Sequence, residues 1–211
     1  MEIEAANQNA SNKFQKLLCA LAETKFDESM IEYCGRHGCK QFLRGKPIRF
    51  GYKNWCLNSP NGYLITFELY QGRSTFCNEE YEAKFGKAAA PLVFKLDNLP
   101  ESVKYLPFEI YIDNLFTGFK LMIHIQKCGY ECTGTIRENR LPGDIPLTGK
   151  KEMKNYERGS YDVVQNDQGI AVVRWVDNSV VTAASACYGV EPLDKVSRYH
   201  QSIMYYACQF F

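Results

Sequence analysis

Pro107-Phe108-Glu109-Ile110-Tyr111-Ile112-Asp113-Asn114-Leu115-Phe116-Thr117-Gly118 is the stretch whose reading decides the fold. Its apolar first half predicts a buried strand, and that strand opens directly onto Asp113. A carboxylate at the tip of a buried strand is costly unless it binds something. Downstream, Phe116, Phe119, Leu121, Met122, Ile123 and Ile125 fill a helix that Gly129 closes, and 131–136 reads as the next strand. Upstream, Phe26-Asp27-Glu28-Ser29-Met30-Ile31 is a second strand-like stretch in which an acid has apolar neighbours. Two such carboxylates on neighbouring strands would make half of a metal site.

The remaining segments follow from periodicity and turn chemistry. Phe14, Leu17, Leu18 and Leu21 recur at helical spacing and predict an amphipathic helix over 12–23. Gly35-Arg36-His37-Gly38-Cys39-Lys40 reads as a basic turn region. Stretches 48–57 and 63–70 are aromatic and β-favouring, and Asn58-Ser59-Pro60-Asn61-Gly62 between them makes a hairpin. A helix is expected from about Ala88 to before Pro100, with Pro91 in its first turn. The segment 141–157 reads as a surface excursion, and 161–165, 170–176 and 180–186 as three β-rich runs parted by turns at 166–169 and 177–178.

The 211 residues are 45% hydrophobic and 14% aromatic, which argues for a buried core and against disorder. Twenty-five Lys and Arg against 24 Asp and Glu leave no global positive field, so a nucleic-acid surface would have to be local. The polar, acidic start and the shortness of the apolar run 17–22 predict a soluble, intracellular chain with no membrane contact. Nine cysteines at irregular spacing do not form a disulfide framework. Cys34/Cys39 with His37, and Cys128/Cys132, lack the paired short spacings of a zinc knuckle, so no structural zinc is expected.

Antiparallel strands followed by helix, strand, helix and strand are the strand plan of the ribonuclease H type of fold. The fourth strand lies beside the first in that plan, which would bring Asp27 and Asp113 together. Mutual repulsion would then call for a cation, and magnesium held by carboxylates and waters is the natural one. A structural alternative stands beside it: Asp113-Asn114 can cap the following helix, and Asp27-Glu28-Ser29 can turn or cap in the same way.

A wider pattern bears on that choice. Asp27-Glu28-Ser29-Met30, Gly35-Arg36, Lys46-Pro47-Ile48-Arg49-Phe50-Gly51-Tyr52-Lys53, Gly62-Tyr63, Tyr70-x-Gly72, Asp113-Asn114-Leu115-Phe116-Thr117, Gly134-Thr135-Ile136-Arg137-Glu138-Asn139-Arg140, Met153-Lys154, Arg158-Gly159 and Trp175-x-Asp177-Asn178 follow one another in order. This series resembles the catalytic domain of the piggyBac transposases and the domesticated proteins derived from them, over roughly 24–200. The resemblance implies an α/β, ribonuclease H-like mixed sheet with flanking helices, incomplete here and joined by a β-rich insertion. It implies 1–23 as a lead-in helix, 24–140 as the core, 141–190 as part of the insertion and 191–211 as a divergent tail. Asp27 and Asp113 correspond to the first and second catalytic, metal-binding aspartates, with Mg2+ or Mn2+ as cofactor. Transposon-end DNA in the nucleus is the implied partner, with dimerisation onto itself or a longer relative.

The departures from the family pattern are specific. A third catalytic aspartate in a Gly-Gly-Val-Asp motif is expected later in the family and does not occur in these residues. Efficient transposition is therefore not expected, and a non-enzymatic DNA- or protein-binding role is the alternative. Asp177 fits a hairpin turn better than a third ligand, and Asp194 a loop. The apolar tail 203–211 is read either as a final element patching the sheet or as unselected sequence. Arg36 and Lys40, beside Phe42, Phe50 and Tyr52, either track a phosphate backbone or form a solvated face. Arg137 and Arg140 either approach DNA or pair with nearby acids.

Overall fold

The computed structural model describes residues 23–70, 79–99, 101–191, 194–197 and 204–207. The helix read over 12–23 lies outside them except for Glu23, which begins the first strand. The chain divides into two compact units, Met1–Tyr111 and Ile112–Phe211.

In the first unit β1 (Glu23–Glu32) alternates between exposed and buried positions over its first half, so Thr24 and Phe26 face inward while Lys25 and Asp27 face out. It pairs antiparallel with β3 (Phe50–Asn58), from Lys25 opposite Asn58 to Glu32 opposite Gly51. At Gly51 a Cβ would stand 1.9 Å from the Ile31 carbonyl oxygen, so the ladder closes there only around a hydrogen. β4 (Leu64–Leu69) returns along β3 as the expected hairpin, with Ser59 accepting from the Gly62 and Tyr63 amides in the turn. The basic turn region leads into a two-residue strand, β2 (Gln41–Phe42), also on β3.

Helices α1 (Glu79–Phe85), α2 (Ala90–Asp97) and α3 (Glu101–Lys104) follow. Only α2 was expected, and it does carry Pro91 in its first turn. A glycine such as Gly86 interrupts a run of helix formers, but it does not exclude a helix before it. Gly86, at φ 86°, ends α1, and its carbonyl accepts from Ala90 as α2 begins. β5 (Glu109–Ile112) lies next to β1 in strand order, and the Thr24 hydroxyl donates to the Glu109 carbonyl at 3.4 Å. Phe26, Trp55, Leu92, Val93, Phe108 and Ile110 are buried in this unit, each contributing about 1.5–3 kcal/mol through removal from water.

The second unit opens with the turn 113–118 and continues into α4 (Phe119–Lys127), which ends where Gly129 takes φ 83°. β6 (Glu131–Thr135) pairs antiparallel with β9 (Val180–Ser185), β9 with β8 (Ala171–Val176), and β8 with β7 (Tyr161–Gln165). The three β-rich runs therefore form as read, with Asn166 Oδ1 accepting from the Gln168 and Ile170 amides in the first turn. They are hydrogen-bonded through β9 to β6, which lies on the other side of the boundary drawn at Arg140.

The excursion over 141–157 is anchored as well as exposed. Within it α5 (Lys150–Met153) buries Met153 completely against Val176 and Val180. Near the end of the chain β10 (Asp194–Ser197) and β11 (Met204–Ala207) pair antiparallel, so part of the apolar tail is strand, and Asp194 starts a strand where a loop was expected.

Candidate functional site

Asp27 sits inside a continuous strand, so it neither caps a helix nor makes a turn. Its carboxylate is exposed, and Oδ1 accepts only the neighbouring Glu28 amide, at 2.7 Å. Glu28, one residue on and half-buried, is spent on two lysines: Lys53 at 2.7 Å and Lys46 at 3.5 Å. Lys53 is held in turn over the Trp55 ring, 4.1 Å from its centroid. Of the two adjacent acids, Asp27 is the one without a cationic partner among the described residues.

In the same unit Arg36 is exposed, whereas Lys40 is half-buried and donates to the carbonyls of Cys34 and Gly35 at 3.4 and 3.2 Å. Lys40 also lies 5.4 Å from the Phe50 centroid, and Phe50 packs on Phe42 at 4.7 Å with both rings more than half exposed. This gives a cation beside aromatic faces. Part of the ammonium's hydrogen-bonding capacity holds its own loop.

Asp113 belongs to the second unit, at the head of the turn 113–118. Its carbonyl accepts from the amides of Phe116 (2.9 Å) and Thr117 (3.1 Å) and from the Thr117 hydroxyl (2.9 Å). The turn is fixed by the backbone of Asp113, which leaves the carboxylate for other use. The capping alternative does not apply here: α4 begins at Phe119, and its cap is Gly118 with no side-chain hydrogen bond. The exposed carboxylate has one weak contact, from the Thr135 hydroxyl to Oδ1 at 3.4 Å.

Arg137 and Arg140 meet this turn directly. Arg137 Nε donates to Asn114 Oδ1 and Arg140 Nη1 to the Thr117 carbonyl, each at 2.9 Å. Neither pairs with an acid among the described residues, although the sequence left that alternative open. Burial, and then the neighbouring Arg137 charge, lower the pKa of Arg140 from the usual arginine range. Two uncompensated guanidiniums beside each other suit an anionic group. A cleft of about 340 Å³ adjoins Arg137, lined also by Asn114, Thr135, Glu138 and Lys150.

Beneath the turn, β6 approaches so closely that a Cβ on Gly134 would stand 2.3 Å from the Ile112 carbonyl oxygen and 2.6 Å from Thr117 Oγ1. Asp177, considered above as a turn residue, accepts both Nε and Nη2 of Arg158, and its amide donates to the Ser179 carbonyl. A hairpin ion pair therefore occupies it.

Sequence reasoning missed Arg174. It lies in β8, is 1% exposed, and donates to Thr182 Oγ1 (3.1 Å), the Thr148 carbonyl and both oxygens of Glu138 (2.7 and 2.8 Å). The available signal was an arginine inside the apolar run Ala171-Val172-Val173-Arg174-Trp175-Val176. Beside it, Asp162 Oδ2 accepts the Thr148 amide at 2.6 Å. Burial works to raise the Asp162 pKa but is outweighed by the Thr148 hydrogen bonds, the Val163 amide and the Arg174 charge, so it falls below the ordinary aspartate value. That stabilisation is full above the unfolded-state pKa and disappears as pH falls through the lowered one. The expected result is a Thr148 amide resonance that is constant at neutral pH and moves only below the ordinary carboxylate range; movement near pH 6 would contradict it.

The acidic residues supply oxygen donors, which fit a hard divalent ion better than a soft one. No described helix is long and apolar enough to cross a membrane. A family profile described as Transposase IS4 matches residues 4–207, so the likeness extends beyond the 24–200 stretch that the motif series covers. Human PiggyBac transposable element-derived protein 3 is 41% identical over 178 residues, covering 84% of this chain and 29% of that protein. Human PiggyBac transposable element-derived protein 2 is 41% identical over 175 residues, covering 82% of this chain and 29% of that protein. The chain thus spans under a third of the length of these curated relatives. Among solved structures, a piggyBac transposase in a synaptic complex with hairpin DNA aligns with a TM-score of 0.59 at 23% identity, over 79% of this chain and 33% of that one. This likeness shows the fold: an α/β, ribonuclease H-like mixed sheet.

Proposed function

The chain belongs to the piggyBac family of DDE-type transposases, and from that premise we propose that it carries two acidic ligands of a metal-dependent DNA-processing site, Asp27 and Asp113. The observation that carries this reading is the Asp113 turn. Its backbone does the structural work, Gly118 takes the helix cap, and the carboxylate is left exposed with one 3.4 Å contact. Asp27 supports it in its own unit, since the lysines nearby are taken by Glu28.

Asp27 and Asp113 would hold magnesium or manganese, which when bound activates a hydroxyl nucleophile and stabilises a leaving oxygen on phosphorus. The chain's own contribution is to orient the two carboxylates, with Arg137 and Arg140 offering charge to a phosphate. DNA is the substrate on this reading, the nucleus its place of action, and a second copy or a longer relative the candidate partner. The core is read as 24–140, with 141–190 part of an insertion. Because a two-metal centre depends on its full set of ligands, the 211-residue polypeptide alone is expected to bind the ion weakly and to cut DNA inefficiently.

Manganese titration with observation of backbone amide signals tests the reading. Broadening is expected at 27–29 and 113–117, and Asp113→Ala should abolish it at the second site. Absence of broadening in the unaltered chain would refute the ligand roles. Efficient Mn2+-dependent cleavage of transposon-end DNA, lost in Asp113→Ala, would keep those roles and overturn the expected lack of turnover.

A second reading, non-enzymatic DNA binding, is favoured by the two arginines that lack acidic partners. It requires affinity that survives Asp27→Ala and Asp113→Ala. Each of Arg36→Ala, Lys40→Ala, Arg137→Ala and Arg140→Ala should then reduce the log–log salt slope by about 1. Unchanged slopes in all four variants would exclude those side chains as phosphate contacts.

A further inference from the structure

We propose that Arg174 and Glu138 are positioning residues for the acidic turn: the buried guanidinium fixes Glu138, and the segment around Glu138 holds the turn that presents Asp113. The proposal rests on the reading of Asp113 as a metal ligand.

Burying an arginine in β8 carries a large desolvation cost, and a satisfied arginine there implies partners that matter more than an apolar side chain would. All of its named partners draw chain onto the sheet. Thr182 is on the adjacent strand β9, opposite Arg174 itself. The Thr148 carbonyl fixes the far end of the excursion, whose amide Asp162 grips from β7. Glu138 receives one nitrogen through both carboxylate oxygens, although its own side chain is 56% exposed.

Glu138 opens the 3-10 turn Glu138–Arg140, so fixing it fixes its neighbours. Arg137, immediately before, holds the Asn114 side chain, and Arg140, at the end, holds the Thr117 carbonyl. Those two contacts grip the turn on either side of the Phe116 and Thr117 amides that close onto the Asp113 carbonyl. The arginines could not rest there by charge alone, because they repel each other. Glu138 lies between them in sequence, and its carboxylate is held by Arg174.

The contacts are contiguous, but contiguity is not coupling, so the test measures coupling directly. In the full 211-residue chain, hydrogen exchange of the Phe116 and Thr117 amides would be followed in Glu138→Ala, Arg137→Ala, the double variant and Glu138→Gln. Glu138 is exposed enough for its variants to fold, whereas Arg174→Lys serves as a further variant only if it does. Glu138→Ala should speed exchange at both amides by about ten-fold, the effect of losing a charge-assisted hydrogen bond, with β3–β4 amides unchanged. The double variant should exchange no faster than the faster single, and Glu138→Gln should recover part of the protection. The Mn2+ midpoint read at the turn should rise severalfold in Glu138→Ala, which a contribution to global stability alone would not produce.

Unchanged exchange in Glu138→Ala, or multiplicative effects in the double variant, would overturn the proposal. An unchanged Mn2+ midpoint beside faster exchange would also overturn it, as the turn would then be held without serving the ligand. If manganese fails to broaden the turn even in the unaltered chain, the metal reading of Asp113 falls by itself, and the exchange measurements still decide whether Glu138 holds the turn.

Discussion

Gly134→Ala is expected to destabilise the unit Ile112–Phe211 by roughly 3 kcal/mol, the upper range for forcing atoms into a filled site. The new Cβ would meet the Ile112 carbonyl oxygen at 2.3 Å, Thr117 Oγ1 at 2.6 Å and Ile112 Cγ1 at 2.8 Å. A flexible side-chain end could move aside, but the Ile112 carbonyl belongs to β5, and Thr117 Oγ1 is buried and hydrogen-bonded to Asp113. Either β6 moves away or the turn opens, and both disturb the acidic site. Gly118 and Gly149 provide the contrast, since nothing lies within 4 Å of a Cβ at either, and their φ values of −166° and −59° are ordinary. Alanine there should be neutral or stabilising by about 0.4–1 kcal/mol. Amide exchange in the β6–β9 ladder under increasing urea reads all three variants. A Gly134→Ala chain as protected as the parent would show that the turn does not rest on β6.

Phe116→Ala should cost about 3–5 kcal/mol in the same unit, as for other buried aromatic truncations. Phe116 is 1% exposed and lies in the turn itself, three residues after Asp113. Its amide donates to the Asp113 carbonyl, so the ring anchors the turn to the core while the backbone shapes it. Loss of the ring should therefore reduce stability and turn protection together. Phe116→Leu, which keeps most of the apolar volume, should recover more than half of the loss. If Phe116→Ala unfolds at the parent urea midpoint, the ring does not anchor the turn. Tyr105, 84% exposed, is a useful contrast, because Tyr105→Ala should change little.

Much of this architecture was legible because local chemistry and global packing agree. The run before Asp113 reads as a strand and is one; Gly129 ends its helix, and Asn58–Gly62 turns a hairpin. Gly86 shows where such reading stops. A glycine can end one helix and begin the approach to another, and the sequence does not say whether the helix formers before it nucleate by themselves. The tail was similarly ambiguous, since an apolar run reads equally as a strand or as drift. Its partner β10 lies several residues away, and pairing at a distance leaves no local signature.

For the proposed site, the ordered motifs pointed to Asp27 and Asp113 but left each open to a bland reading as a cap or turn. That choice depends on where the neighbouring backbone donors go. A cap and a ligand have the same side chain, and only the Asp113 carbonyl, the Gly118 cap and the lysines on Glu28 separate the readings. Arg137 and Arg140 were noticed as charges, while their grip on Asn114 and Thr117 was not visible. Arg174 was passed over because period-two patterning assigns a strand to its faces without saying which polar group elsewhere will meet it.

By itself, the sequence determined the family and most of the strands, since motif order, hydrophobic period and turn residues are local properties of the chain. Tertiary structure alone decided which carboxylates are spent and which remain exposed. It also decided which arginines brace the Asp113 turn and why Gly134 must lack a side chain. These are distance-dependent facts about groups far apart in sequence, and hydrogen bonding and steric exclusion act only once the fold has brought such groups within a few ångströms.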